Sequence, residues 1–163
     1  MSFDVYGLGP GSGLTPSVRA FRAVLVLAQR LRYLMDERLR GDGLTTQQAA
    51  LLTVVLALDG PALGEAAAAL GSTHQNVAQL VAALRRKNLL RIEADPADRR
   101  RKRLIATGTN ERYWRQRDAG DHAALAQWFG ALSETELATF CALLDRVLES
   151  LAQGAPPRPP DDR

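Results

Sequence analysis

The chain has 163 residues, 46% apolar and 24% charged, with a net charge of +3 and one cysteine, Cys141. This describes an ordinary globular chain of one domain, which at this length buries roughly 68–70% of its unfolded surface. An internal disulfide framework is excluded, a reducing cytoplasm is the expected compartment, and no apolar run approaches the ~20 residues of a membrane span.

Residues 1–14 are glycine-rich and without periodicity, which predicts a mobile tail with no basic-then-apolar secretory signal. Thr15-Pro16 offers a helix start, and the first helix is expected to run to about Leu39. Its centre, Val24-Leu-Val-Leu-Ala28, is apolar all round. Such a stretch is built for burial on every side, which in a chain this short requires a partner subunit. Gly41-Asp42-Gly43 ends the helix, and Thr45 with Gln48 forms a capping box ahead of AALLTVVLAL. A turn at Asp59-Gly60-Pro61 leads to a short alanine-rich helix stopped by Gly71, after which Ser72 caps the next helix.

That next helix runs to Asn88, a residue able to take the left-handed conformation. Val77, Leu80, Val81 and Leu84 fall on one face at helical spacing. Gln75, Asn76 and Gln79 stand opposite, with Thr73 and His74 in the first turn. An amide carries both a donor and an acceptor and can pair with adenine N6 and N7, so this face suits the reading of base edges. Helix, glycine turn and polar-faced second helix are in helix-turn-helix order.

Residues 89–93 and 102–106 are expected to pair as strands around a turn at 94–98. Five consecutive basic residues, Arg99 to Arg103, sit at the tip of this hairpin. Charge elsewhere supports the same reading. Residues 1–84 balance to zero and residues 104–163 are net acidic, whereas residues 85–103 hold nine basic residues against three acidic ones. A basic footprint confined to one helix and its hairpin is what contact with a nucleic-acid backbone requires. Thr107 is expected to cap a fifth helix to about Gly130, with a bend or a solvent-facing section at its polar middle around Gly120. Ser133 to Glu136 forms a second capping box. The sixth helix repeats apolar residues at 137, 140, 141, 144, 147, 148 and 151, with Cys141 expected as an inert buried thiol. Residues 154–163 are expected to form a disordered tail.

The order of elements, together with DPADRR at 95–100, RRKNLL at 85–90, LTTQQAALL at 44–52 and LGSTHQNVAQLVAAL at 70–84, resembles the MarR family of bacterial winged helix-turn-helix regulators. The resemblance implies a mainly α fold with a small β-wing. The winged helix-turn-helix would occupy 44–107 of a single 15–153 domain, and the dimerisation part 15–40 and 108–153. It implies a cytoplasmic homodimer on double-stranded DNA, with a small aromatic or apolar effector altering affinity. It assigns the wing-tip role to Arg100 and the bracing role to Asp98, and matches Thr73, His74, Gln75, Asn76 and Gln79 to the recognition helix. Asn88 and Asn110 stand where the family often has glycine; a left-handed Asn is tolerated at either.

On this reading Ser72, Thr73, His74, Gln75, Asn76 and Gln79 face the groove, with His74 either touching DNA or packing at the helix start. Arg85, Arg86, Lys87 and Arg91, with Arg99, Arg100, Arg101, Lys102 and Arg103 of the wing, meet phosphate or the minor groove, and Asp98 braces the wing that carries them. Tyr33, Tyr113, Trp114, His122 and Trp128 either line an effector pocket or are core and interface, with a solvent-facing His122 the alternative for that residue. No metal, cofactor or catalytic spacing is found, since two histidines and one cysteine far apart form neither a triad nor a ligand set. A winged-helix adaptor that binds protein is the rival reading, and RNA binding is disfavoured by the lack of exposed aromatics on the polar face.

Overall fold

The computed structural model describes residues 6–8 and 13–154. The tails expected at 1–14 and 154–163 therefore lie mostly outside the described residues. Six helices and one hairpin follow in the expected order: α1 (Pro16–Leu39), α2 (Thr46–Ala57), α3 (Leu63–Ala69), α4 (His74–Arg86), β1 (Leu90–Ala94), β2 (Lys102–Ala106), α5 (Gly108–Trp128) and α6 (Glu134–Gly154). A 3₁₀ turn over Arg40–Asp42 links α1 to Gly43, whose φ of 64° reverses the chain. The fold is mainly α with a two-stranded antiparallel wing, paired from Leu90↔Ala106 to Ala94↔Lys102. The chain divides into two compact units, residues 1–112 and 113–163.

The first unit is built on a small apolar core. Leu39 and Leu44 flank the α1–α2 link; Leu51, Leu52 and Val55 come from α2, Ala66 and Ala67 from α3, and Val77, Val81 and Leu84 from α4. Leu90 and Leu104 close the core from the wing. Burying each such Val or Leu is worth about 1.5–3 kcal/mol over leaving it in water, which fixes the face that α4 turns inward and hence the face it turns out. Leu80, expected among the buried set, is only half-buried because the buried positions 77, 81 and 84 centre the inward face to one side of it.

Several helix ends differ from expectation. Thr15 precedes proline as expected but makes no side-chain cap. At α2, Thr45 Oγ1 accepts from Gln48 N at 3.3 Å, while Gln48 Oε1 accepts from Lys87 Nζ at 3.0 Å, so the side chain meant to return to the box is used between elements. The cap of α4 is Thr73, whose hydroxyl accepts from Asn76 N at 3.2 Å; Ser72, expected there, instead accepts from Asn76 Nδ2 at 2.8 Å. Asn88 adopts the left-handed conformation at φ 56°, as its position demanded. Asn110 does not, since it lies within α5. It is fully buried, and neither its Nδ2 nor its Oδ1 has a partner.

The second unit holds most of α5 and all of α6. The helix α5 is unbroken through Gly120, and Arg117 pairs with Asp121 at 3.0 and 3.1 Å with side chains only 16% and 13% exposed. Arg117 and Asp121 thus neutralise each other one turn apart, while Gly120 and His122 face water. Ser133 and Glu136 complete a full capping box, with Ser133 N donating to Glu136 Oε2 at 2.9 Å and Glu136 N to Ser133 Oγ at 3.4 Å. No residue of α6 is buried. Cys141 is accordingly exposed in the single chain, against the expectation of a buried thiol.

Candidate nucleic-acid interface

Helix α4 displays its polar face because its other face fills the core. Gln75 and Gln79 are exposed, four residues apart and therefore one above the other on the helix. His74 and Thr73 are exposed at its first turn, while Asn76 and Ser72 are half-buried and bonded to each other. The amides expected to read bases thus divide into two exposed ones and one held by its neighbour. Helix α4 is placed by three anchors besides its apolar face. Thr107 Oγ1 donates to the Asn88 carbonyl at 2.7 Å, Leu89 N donates to Leu84 O at 3.1 Å, and Lys87 Nζ donates to the Gly43 carbonyl and to Gln48.

Lys87 is therefore turned back into the protein rather than left for phosphate. Arg91, also expected at phosphate, pairs with Glu93 on the same strand, two residues on. Arg85 and Arg86 end α4 and are exposed, with no ion pair to another described residue.

The hairpin tip is closed by local bonds. Asp95 N donates to Arg101 O and Arg101 N to Asp98 O, both at 2.9 Å. Asp98 Oδ1 accepts from Arg100 N at 3.0 Å, and Asp95 Oδ1 from Ala97 N at 2.8 Å. Asp98 so holds the turn that presents Arg99 and Arg100, which are exposed. Arg101 and Arg103, also expected to touch DNA, are engaged elsewhere. Arg101 pairs with Glu65 of α3, and Arg103 donates to the carbonyls of Asp59 and of Gly60, the latter at 2.9 Å. Glu65 was not anticipated as part of this surface, although it is the only carboxylate between Asp59 and Glu93. Its carboxyl lies below the usual carboxylate range, first because Ala62 N donates to it at 2.8 Å and then because Arg101 does. Arg101 is raised in turn by the same pair.

The residues named for an effector pocket are placed as follows. Tyr33 lines an open cleft of about 280 Å³ with Gln29, Arg32, Asp36, Thr45 and Gln47, and Arg30 stands 5.4 Å over its ring. Asp36 Oδ1 accepts from Thr46 N at 2.6 Å and Thr46 Oγ1 at 2.7 Å, tying α1 to the start of α2. In the second unit, Tyr113 and Trp114 meet edge to face at 5.2 Å, Trp128 is half-buried and His122 is exposed. Among the described residues no cluster of three metal-ligating side chains occurs, and no helix is long and apolar enough to cross a membrane.

Comparison with known proteins agrees with this arrangement. Residues 42–101, the helix-turn-helix and the hairpin up to its second strand, match the model of the MarR family. Among solved structures, MepR of S. aureus, crystallised with DNA, is 26% identical, aligned over 84% of this chain and 96% of its own, at a TM-score of 0.68. A MarR/EmrR family regulator from Acinetobacter sp. ADP1 is 15% identical over 86% of this chain and 99% of its own, at 0.75. The PcaV regulator of Streptomyces coelicolor, solved with its natural ligand, is 24% identical over 86% and 96%, at 0.65. No curated protein matches the sequence. The chain thus carries a segment over 42–101 that matches the MarR family model, and over more than four-fifths of its length it is similar in fold to winged helix-turn-helix transcriptional regulators of that family.

Proposed function

We propose that this regulator is a repressor that binds double-stranded DNA as a homodimer, in a bacterial cytoplasm, with α4 in the major groove and the wing tip against the adjacent backbone and minor groove. The observation that carries the reading is the face of α4. Gln75 and Gln79 are held outward by burial of Val77, Val81 and Leu84, and Arg85, Arg86, Arg99 and Arg100 are exposed as well. Amides supply base contacts and the arginines supply phosphate contacts. MepR, whose crystal structure contains DNA, is the relative that favours this partner over a protein.

Two apolar surfaces favour a second copy. Phe21, Val24 and Leu25 of α1 are 65%, 49% and 53% exposed, and Val147, Leu148 and Leu151 of α6 are 56%, 63% and 65% exposed. Patches of this kind rarely remain open to water in a soluble protein. Closure by two-fold symmetry gives paired α4 helices and so a pseudo-palindromic operator. A small aromatic or apolar effector that weakens DNA binding completes the proposal. PcaV, with its bound natural ligand, supports the existence of such a ligand, and the cleft at Tyr33 is one place with room for it.

Selection of bound fragments from a random DNA pool tests the reading. A symmetric motif is expected, with affinity that falls steeply as salt is added. Gln79→Ala should cost on the order of 1–3 kcal/mol at that motif and relax preference at one position in each half. Failure to enrich any motif, together with salt-insensitive retention of a protein partner, would move the assignment to a winged-helix adaptor. Repeating the selection with small aromatic and small apolar compounds present identifies the effector class by loss of enrichment.

A further inference from the structure

The wing carries five basic residues in a row, and side chains alternate between faces along the extended β2 arm. Arg101 and Arg103 fall on one face. Both point at the α2–α3 turn and the start of α3, where Arg103 meets the carbonyls of Asp59 and Gly60 and Arg101 meets Glu65 of α3. Between and beside them the backbone joins in, as Leu104 N donates to Pro61 O at 2.9 Å. The backbone conformation and the close approach together favour glycine there. At Gly60 the φ is +82°, and a Cβ would lie 2.6 Å from Arg103 Nη2 and 2.8 Å from Ile105 Cδ1. Lys102 falls on the other face, and with Arg99 and Arg100 at the turn it pairs with no described carboxylate. Glu65 makes two attachments with one carboxylate: Oε2 accepts from Ala62 N at the start of α3, and Oε1 accepts from Arg101.

From this we propose that the basic run is divided by the turn and the alternation of the arm that follows it into a seat and a contact. Arg103 seats the wing on the α2–α3 turn and Arg101 seats it on α3, neither neutralising phosphate; Arg99, Arg100 and Lys102 carry the contact, and Glu65 is the positioning residue that aims the wing. The proposal rests on DNA being the partner, and adds which cations touch it. Dependence of affinity on salt separates the two roles. A lost phosphate contact lowers the slope of log K against log salt by about 0.9, whereas a lost seat weakens binding without changing the number of counterions released.

The experiment measures binding of the full-length protein to its selected duplex across a range of KCl concentrations. Parent, Arg100→Gln, Arg101→Gln, Glu65→Gln and the Glu65→Gln/Arg101→Gln double variant are compared. Glutamine at 65 keeps an acceptor for Ala62 N, so the α3 start is retained. Arg100→Gln is expected to weaken binding and flatten the slope by about 0.9. Arg101→Gln and Glu65→Gln should each weaken it about two- to fivefold at unchanged slope, as suits an exposed pair. The double variant should be no weaker than either single variant. A flattened slope for Arg101→Gln would make Arg101 a phosphate contact and overturn the division, as would a Glu65→Gln protein that binds as well as the parent. If the parent itself shows no salt-dependent duplex binding, the underlying DNA reading fails instead.

Discussion

At Gly60 one missing methyl group decides how the hairpin meets the helices. The left-handed backbone there costs any other L residue on the order of 1–2 kcal/mol, and the new Cβ would displace Arg103 and Ile105 as well. Gly60→Ala is expected to lower stability by at least that backbone amount and to loosen protection of the wing amides in hydrogen exchange. Leu84 makes the complementary case. Wholly buried under α4, it should cost about 2–5 kcal/mol when cut to alanine, read from the midpoint of urea denaturation. Asn110 runs the other way. An amide buried with neither atom satisfied forfeits ~1–3 kcal/mol that a bonded one would retain, so Asn110→Ala should cost far less than Leu84→Ala in the same titration. A loss comparable to Leu84→Ala would show that the amide is bonded in solution.

Among the elements, α4 and α6 show how the same sequence pattern can have different consequences. Both repeat apolar residues at helical spacing, yet α4 buries Val77, Val81 and Leu84 within its own chain while α6 buries none. Periodicity identifies a face and says nothing of what covers it. The start of α6 is nevertheless well specified. Backbone and hydroxyl donors of Ser133 hold the Glu136 carboxyl below its ordinary value of 4.5. A carboxyl whose folded pKa is depressed stabilises fully above the unfolded value and loses that contribution as pH falls through the folded one. The advantage of the parent over Glu136→Gln should therefore persist at neutral pH and vanish as pH drops below 4.5. An advantage independent of pH would assign the effect to shape rather than charge.

For the molecule as a whole, the proposed dimer makes a stringent demand. Each buried leucine is worth about 1.5–3 kcal/mol, and two-fold symmetry counts every one twice. Aspartate at both Leu148 and Leu151 should produce monomers in sedimentation while leaving the helix-turn-helix folded. Those monomers should bind an isolated half-site no better than they bind the full operator. Undiminished association would place the second copy on another surface.

Composition, periodicity and turn chemistry were enough to determine the order of elements, the bounds of α1, the left-handed Asn88 and the outward amides Gln75 and Gln79, because each follows from residues near one another in the chain. The family's DPADRR run was equally legible, since a turn is a local object. What the cations do was not. Lys87, Arg101 and Arg103 look the same in the sequence as Arg86, Arg99 and Arg100, yet the first three are committed to Gly43, Glu65 and the Asp59–Gly60 carbonyls. Those partners lie 36 to 44 residues away, and only the folded chain brings a carbonyl or a carboxylate within reach of one long side chain and not the next.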